Sequence, residues 1–264
     1  MKIFISVDIE GVTGVTSWDE TEAGKFGYDK ACVQMSKEAA AACRGALKAG
    51  ATEIFVKDAH DTARNIDPSY LPEEAVISRG WTNTPESMMA GIDEYFDAAV
   101  FIGYHSGAGT NGNPLSHTMN RDNNYVKING KTAAEFDLNA YVAGYYNVPV
   151  VFVSGDEALC DHAKDLVPGI ETVGVKYGVG NATVSMSGEK ACRLIEEGVA
   201  KGIEKASECI VDLPEKFEFE VNFKDCVRAL RSSYYPGAEQ IDEKTVRYVT
   251  DNVHDMMTAR MFIL

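Results

Sequence analysis

Residue types that bind metals or move protons recur in this sequence where short apolar runs end. Asp8 and Glu10 follow Ile3 to Val7, Asp58 and His60 follow Ile54 to Lys57, His105 follows Ala98 to Gly103, and Asp156 follows Val148 to Ser154. Each run reads as a buried strand. In an open α/β sheet the carboxyl ends of the strands form the ligand crevice, so side chains distant in sequence converge there. The weight lies in that convergence, because any one of these residues alone would say little.

Asp8 and Glu10 are two apart, and in an extended chain residues i and i+2 point the same way. Two carboxylates on one side repel unless one is protonated or a cation lies between them. A divalent cation is the simplest remedy; the competing reading is that either acid caps the turn near Gly11. Of the five histidines, His60 and His105 belong to the strand-end group, whereas His162 in a polar helix and His254 in a C-terminal helical stretch read as structural or surface residues. Neutral imidazole is the commonest metal ligand, and two imidazoles with carboxylates suit zinc. No thiolate joins the group, which favours a catalytic site with open positions over a structural zinc knot.

The other polar positions each have two readings. His117 follows the Gly- and Asn-rich loop from Gly107 to Asn113; it can carry a proton-transfer group over the crevice or simply bond to backbone. Glu135 stands near the start of a predicted helix, where the helix dipole alone accounts for a carboxylate. Asp58 and Asp156 could be ligands, but a carboxylate that orients a ligating histidine is at least as good a description, and both are assigned that supporting role.

The elements that must position these residues alternate between strand and helix. Helical periodicity covers Asp29 to Ala49 and stops at Gly50; further helices are expected near Pro85 to Ile92, from about Thr132 to Tyr146, up to about Leu166, and from Ser187 to about Ser207. A strand is also expected near Glu171 to Lys176. Tyr125 to Ile128 followed by Asn129-Gly130 signals a hairpin inserted before the fourth strand. After Pro214, Phe217 to Phe223 alternates strictly, as a half-exposed strand does. The expected fold class is α/β, a mostly parallel sheet flanked by helices, with an inserted hairpin and a smaller C-terminal α+β subregion. The expected division is an α/β metal-binding catalytic domain over residues 1–210 and a small subregion over 211–264 packed on it.

With 264 residues, 45% of them hydrophobic, the chain can bury a sizeable core. A formal net charge of −15 argues against nucleic-acid and membrane-surface partners, which favour a basic footprint. Six scattered cysteines without a C-x-x-C pair read as free thiols of a reducing compartment. With five residues between Lys2 and Asp8 as the only apolar stretch near the start, no signal peptide is expected, and the protein is expected in the cytoplasm.

Several ordered segments together resemble one family. Ser6-Val7-Asp8-Ile9-Glu10-Gly11 is similar to the S-x-D-x-E-G signature of the D-aminopeptidases typified by the bacillus dipeptide-transport-operon enzyme. Lys57-Asp58-Ala59-His60, Gly103-Tyr104-His105, Ser116-His117-Thr118-Met119 and the stretch from Glu135 through Leu138 to Gly144 extend the resemblance to about residue 180. It implies two zinc ions per subunit, with Asp8 bridging, Glu10 and His60 completing one site, and His105 and Glu135 the other. His117 would be the catalytic histidine, as nucleophile or as general acid or base. The implied activity is release of N-terminal residues, of D configuration, from short peptides by a metal-activated water. The implied assembly is a ring-shaped homo-oligomer, commonly a decamer. Two other readings compete. A metal-dependent phosphatase or phosphoesterase would need oxygen-dominated ligation and a basic residue near the phosphate. A metal-stabilised scaffold would need no open coordination position.

Overall fold

Ile3, Phe4, Ile5 and Val7 are wholly buried, so strand β1 (Lys2–Val7) has both faces covered and belongs in the middle of a sheet. The computed structural model, which describes residues 1–264, places it there. From β1 the chain runs through helix α1 (Tyr28–Lys48) to β2 (Glu53–Asp58) and β3 (Ala75–Ser78), then returns as β4 (Ala98–Tyr104) on the other side of β1. A hairpin, β5 (Asn123–Ile128) and β6 (Lys131–Thr132), precedes helix α2 (Glu135–Tyr145) and strand β7 (Val150–Asp156). Helix α3 (Glu157–Leu166) leads to β8 (Glu171–Val179), β9 (Ala182–Ser185) and helix α4 (Gly188–Glu204). The main sheet has seven strands in the order β3-β2-β1-β4-β7-β8-β9, parallel except for β9.

That order fixes where a site can form. The chain moves one way from β1 to β3 and the other way from β4 to β9, so the switch lies between β1 and β4. Right-handed crossovers in opposite directions put their helices on opposite faces and leave an open crevice at the switch, beyond the carboxyl ends of the strands. Asp8 and His105 are the first residues after those two strands. The two loops are clamped together: Asp8 N donates to the Ile102 carbonyl and Gly11 N to that of Gly103, each at 2.8 Å. Only glycine allows this approach, since a Cβ on Gly11 would stand 1.7 Å from the Tyr104 carbonyl oxygen.

The remaining elements, β10 (Phe217–Phe223), α5 (Cys226–Ser232), β11 (Ala238–Gln240), β12 (Thr245–Thr250) and α6 (Val253–Ile263), complete a second, antiparallel sheet ordered β11-β12-β10-β5-β6. Phe217, Phe219, Val221 and Phe223 are buried and the residues between them are not, as the alternation requires. Asn129 and Gly130 both have positive φ, the conformation a tight hairpin needs. This hairpin pairs with the C-terminal strand, Val126 opposite Val221, so the second sheet draws strands from both sides of residue 210. A contiguous apolar core runs through both sheets.

Some expectations differ in detail. The helix expected near Pro85 to Ile92 is a single 3-10 turn, Ser87–Met89. The helix expected from Thr132 starts at Glu135, because Lys131 and Thr132 close the hairpin and the Asp137 carboxylate caps the Ala134 N–H at 2.8 Å. Strands β3, β9, β11 and β12 and helix α5 had no clear sequence signature.

Candidate metal centre

At the switch point the carboxylates and imidazoles meet. His60 Nδ1 lies 3.1 Å from Asp8 Oδ1 and 3.0 Å from Glu10 Oε2. His105 Nε2 lies 3.4 Å from Asp8 Oδ2 and 3.7 Å from Glu135 Oε2. His117 Nε2 is 3.6 Å from Glu135 Oε1, and its ring stacks on that of His105 with centroids 4.4 Å apart. All five of Asp8, Glu10, His60, His105 and Glu135 are buried.

The outer side of each ring identifies its tautomer. His60 Nε2 faces the Thr21 carbonyl at 2.7 Å, His105 Nδ1 faces the Ser106 carbonyl at 3.0 Å, and His117 Nδ1 faces the Leu115 carbonyl at 3.0 Å. A carbonyl can only accept, so the nitrogen beside it carries the proton, and in neutral imidazole the other nitrogen presents a lone pair. All three lone pairs then aim at carboxylate oxygens. The arrangement is repulsive unless the rings are protonated or cations lie between the atoms. A backbone carbonyl fixing the outer N–H of a ring is the usual support of a metal-ligating histidine.

The electrostatics reflect the same tension. Burial opposes charge on His60, but Glu10 and Asp8 hold its pKa well above the ordinary value; burial likewise opposes charge on His105, and Glu135 and Asp8 overcome it. Burial would raise the Asp8 carboxyl, yet the neighbouring His105 and His60 bring it well below the carboxylate range. Glu135 is also lowered, burial being outweighed by His105 and His117. Even so, Asp8 Oδ2, Glu10 Oε2 and His105 Nε2 are buried without a hydrogen-bond partner. Such atoms are costly to leave unsatisfied. The ligand atoms of Asp8, Glu10 and His105 lie within 4.8 Å of one another, as do those of His105, His117 and Glu135. These nitrogen and carboxylate donors fit zinc. His117, kept out of the ligand set on sequence grounds, shares the second of these groups.

The two supporting carboxylates act through backbone. Asp58 accepts from Asn65 N at 2.6 Å, Ile66 N at 2.7 Å and Asn65 Nδ2 at 2.8 Å, and Asn65 Nδ2 also donates to the His60 carbonyl at 2.7 Å. It fastens the loop that carries His60 and leaves the imidazole alone. Asp156 accepts from Ser106 N at 2.7 Å, from the Ser106 hydroxyl and, as the cap of α3, from Leu159 N at 2.9 Å. It thereby holds Ser106, the residue whose carbonyl orients His105. Asp156→Asn is expected to weaken zinc affinity or activity about 10- to 100-fold, the usual effect of disturbing a ligand's support. A zinc titration and rate assay of the variant check this, and wild-type values for both would contradict it.

Other residues of the site were not singled out from sequence. Met119, in the left-handed region with φ 64°, donates its N–H to Glu135 Oε1 at 2.7 Å. Trp18 packs its edge against His117, and the Arg121 guanidinium lies 4.5 Å over the Trp18 ring. Lys176 donates to the carbonyls of Glu10 and Val15, fixing the β1 loop, and burial brings its pKa down to about 8. Over the cluster opens a cavity of about 350 Å³, walled in part by Trp18, Glu22, Asp61, Trp81, Met88 and Arg121.

Comparisons with known proteins identify the family and the fold. Residues 1–262 match the D-aminopeptidase family of peptidases. A D-aminopeptidase of Bacillus subtilis (strain 168) is 34% identical over 267 residues, covering 100% of this chain and 96% of the relative. The solved structure of a zinc-dependent D-aminopeptidase from Bacillus subtilis, described as a self-compartmentalizing protease, superposes with a TM-score of 0.93 at 31% identity, over 100% of this chain and 96% of that one. With the family match spanning residues 1–262 and the fold shared over the full length, the chain belongs to the D-aminopeptidase family.

Proposed function

We propose that the chain is a zinc-dependent aminopeptidase that releases N-terminal residues, of D configuration, from short peptides. The observation that carries the reading is the pair of ligand groups, Asp8, Glu10 and His105 on one side and His105, His117 and Glu135 on the other, with Asp8, Glu10, His117 and Glu135 opening on one cavity. Two zinc ions per subunit are proposed, one held by Asp8, Glu10 and His60 and the other by His105 and Glu135, with Asp8 between them. Bound zinc would supply an activated water and polarise the scissile carbonyl.

The chain's own residues do the rest. Glu10, His60 and Glu135 are held in place by their loops and by Thr21 and Met119 before any substrate arrives. His117 presents Nε2 toward the cavity and keeps its proton on Nδ1, so Nε2 can take a proton and return it to the departing amine. Asp61 on the wall, which has no ion-pair partner, favours a cationic group such as the substrate's free α-amine. A phosphoesterase reading has no such support: the one guanidinium on this wall, that of Arg121, lies 3.5 Å from Glu22. The catalytic machinery is assigned to residues 1–210. A homo-oligomer is proposed on the relative's description as self-compartmentalizing, and its form as a ring, commonly a decamer, on the family resemblance. A cytoplasmic location is proposed on the six free cysteines, and no helix is long and apolar enough to cross a membrane.

Assays on D-alanyl and L-alanyl amides beside p-nitrophenyl phosphate test the reading. The D-alanyl amide is expected to be cleaved fastest and the phosphate ester not at all. Phosphate release without amide cleavage would overturn it.

A further inference from the structure

Arg260, on α6, is only 7% exposed. A buried guanidinium is expensive unless paired, and arginines in such places normally meet a carboxylate. This one does not. No carboxylate lies within ion-pair distance of it; its Nη2 donates to the Pro85 carbonyl at 3.1 Å, and its Nε is buried with no partner. Glu135 attracts it only from beyond contact distance.

Beside Arg260 is a second cavity of about 210 Å³, walled by Asn83, Thr84, Ser87 and Met261 and shared at its border with the metal cavity through Trp81 and Met119. A ligand lying over the metal centre can therefore extend past Trp81 and Met119 toward a guanidinium that lacks an anion. The other cations nearby are already engaged, Arg121 by Glu22 and Trp18 and Lys57 by the carbonyls of Asp58 and Gly80.

We propose that Arg260 and this second cavity receive the free C-terminal carboxylate of the peptide substrate. The inference rests on the aminopeptidase reading and deepens it. The planar fork of arginine matches a carboxylate through two parallel N–H bonds, which a lysine cannot reproduce. With the N-terminal residue at the metals and the C-terminal carboxylate at Arg260, the enzyme selects short peptides by length and by a free acid end.

The test compares a D-alanyl dipeptide with a free carboxylate against the same dipeptide as its C-terminal amide, using the zinc-loaded enzyme and its Arg260→Gln and Arg260→Lys variants. The wild type is expected to show a KM about 10- to 100-fold lower for the acid than for the amide, in the range of hydrogen bonds to charged groups. Arg260→Gln should raise KM for the acid alone and remove the difference, Arg260→Lys should retain part of it, and zinc content should not change. Equal KM values for acid and amide in the wild type overturn the proposal even where a variant fails to fold. So does an Arg260→Gln enzyme that still discriminates, or one slowed equally on both substrates. A wild type that cleaves neither dipeptide overturns the aminopeptidase reading, and this inference with it.

Discussion

His117→Ala is expected to lower kcat on D-alanyl peptides by about 10² to 10⁴, the range for loss of a positioned proton-transfer group. The ring is well placed for that role. Its Nδ1 proton is committed to the Leu115 carbonyl, one face stacks on His105, and Trp18 closes on it edge-on, so Nε2 has one direction to point. Its distance of 3.6 Å from Glu135 Oε1 also puts it within a possible ligand group. Metal analysis of the same variant separates the two roles. Retention of both zinc equivalents with a collapsed rate assigns His117 to proton transfer, and a drop well beyond 10⁴ points to covalent participation. Near-normal kcat would make it an ordinary loop histidine, and loss of one zinc would make it a ligand.

The sequence showed where the site would form more clearly than how it is built. Strand ends are legible because apolar runs are, and the crevice rule then gathers Asp8, Glu10, His60 and His105 without knowledge of contacts. Glu135 was legible only through the family resemblance, since the start of a helix accounts for a carboxylate on its own. The groups that set the imidazole tautomers are the carbonyls of Thr21, Ser106 and Leu115, and a backbone carbonyl is the same whatever the residue. Asp58 illustrates a local limit. Two residues before His60, it would share a side with it in a continuing strand, but the chain leaves the sheet at Asp58 and turns through Asp61 and Ala63, both with positive φ. Its carboxylate therefore meets Asn65 and Ile66 instead of the ring. The pairing of β5 with β10 was equally hidden, because alternation reveals a strand and says nothing of its partner. Arg260 lies far from every motif and acquires its setting only when α6 packs beside the turn at Pro85.

Metal removal should have the largest effect of all, complete loss of peptide cleavage, because Asp8, Glu10, His60, His105 and Glu135 are buried with facing lone pairs that a bound cation reconciles. Bound zinc would supply the activated water and polarise the scissile carbonyl. The most direct measurement is elemental analysis of the purified protein before and after chelation, with the rate on a D-alanyl amide recorded on the same samples. Two zinc equivalents per chain, their removal together with all activity, and recovery of both when zinc is restored are the expected results; full activity in protein verified to be metal-free would contradict the account.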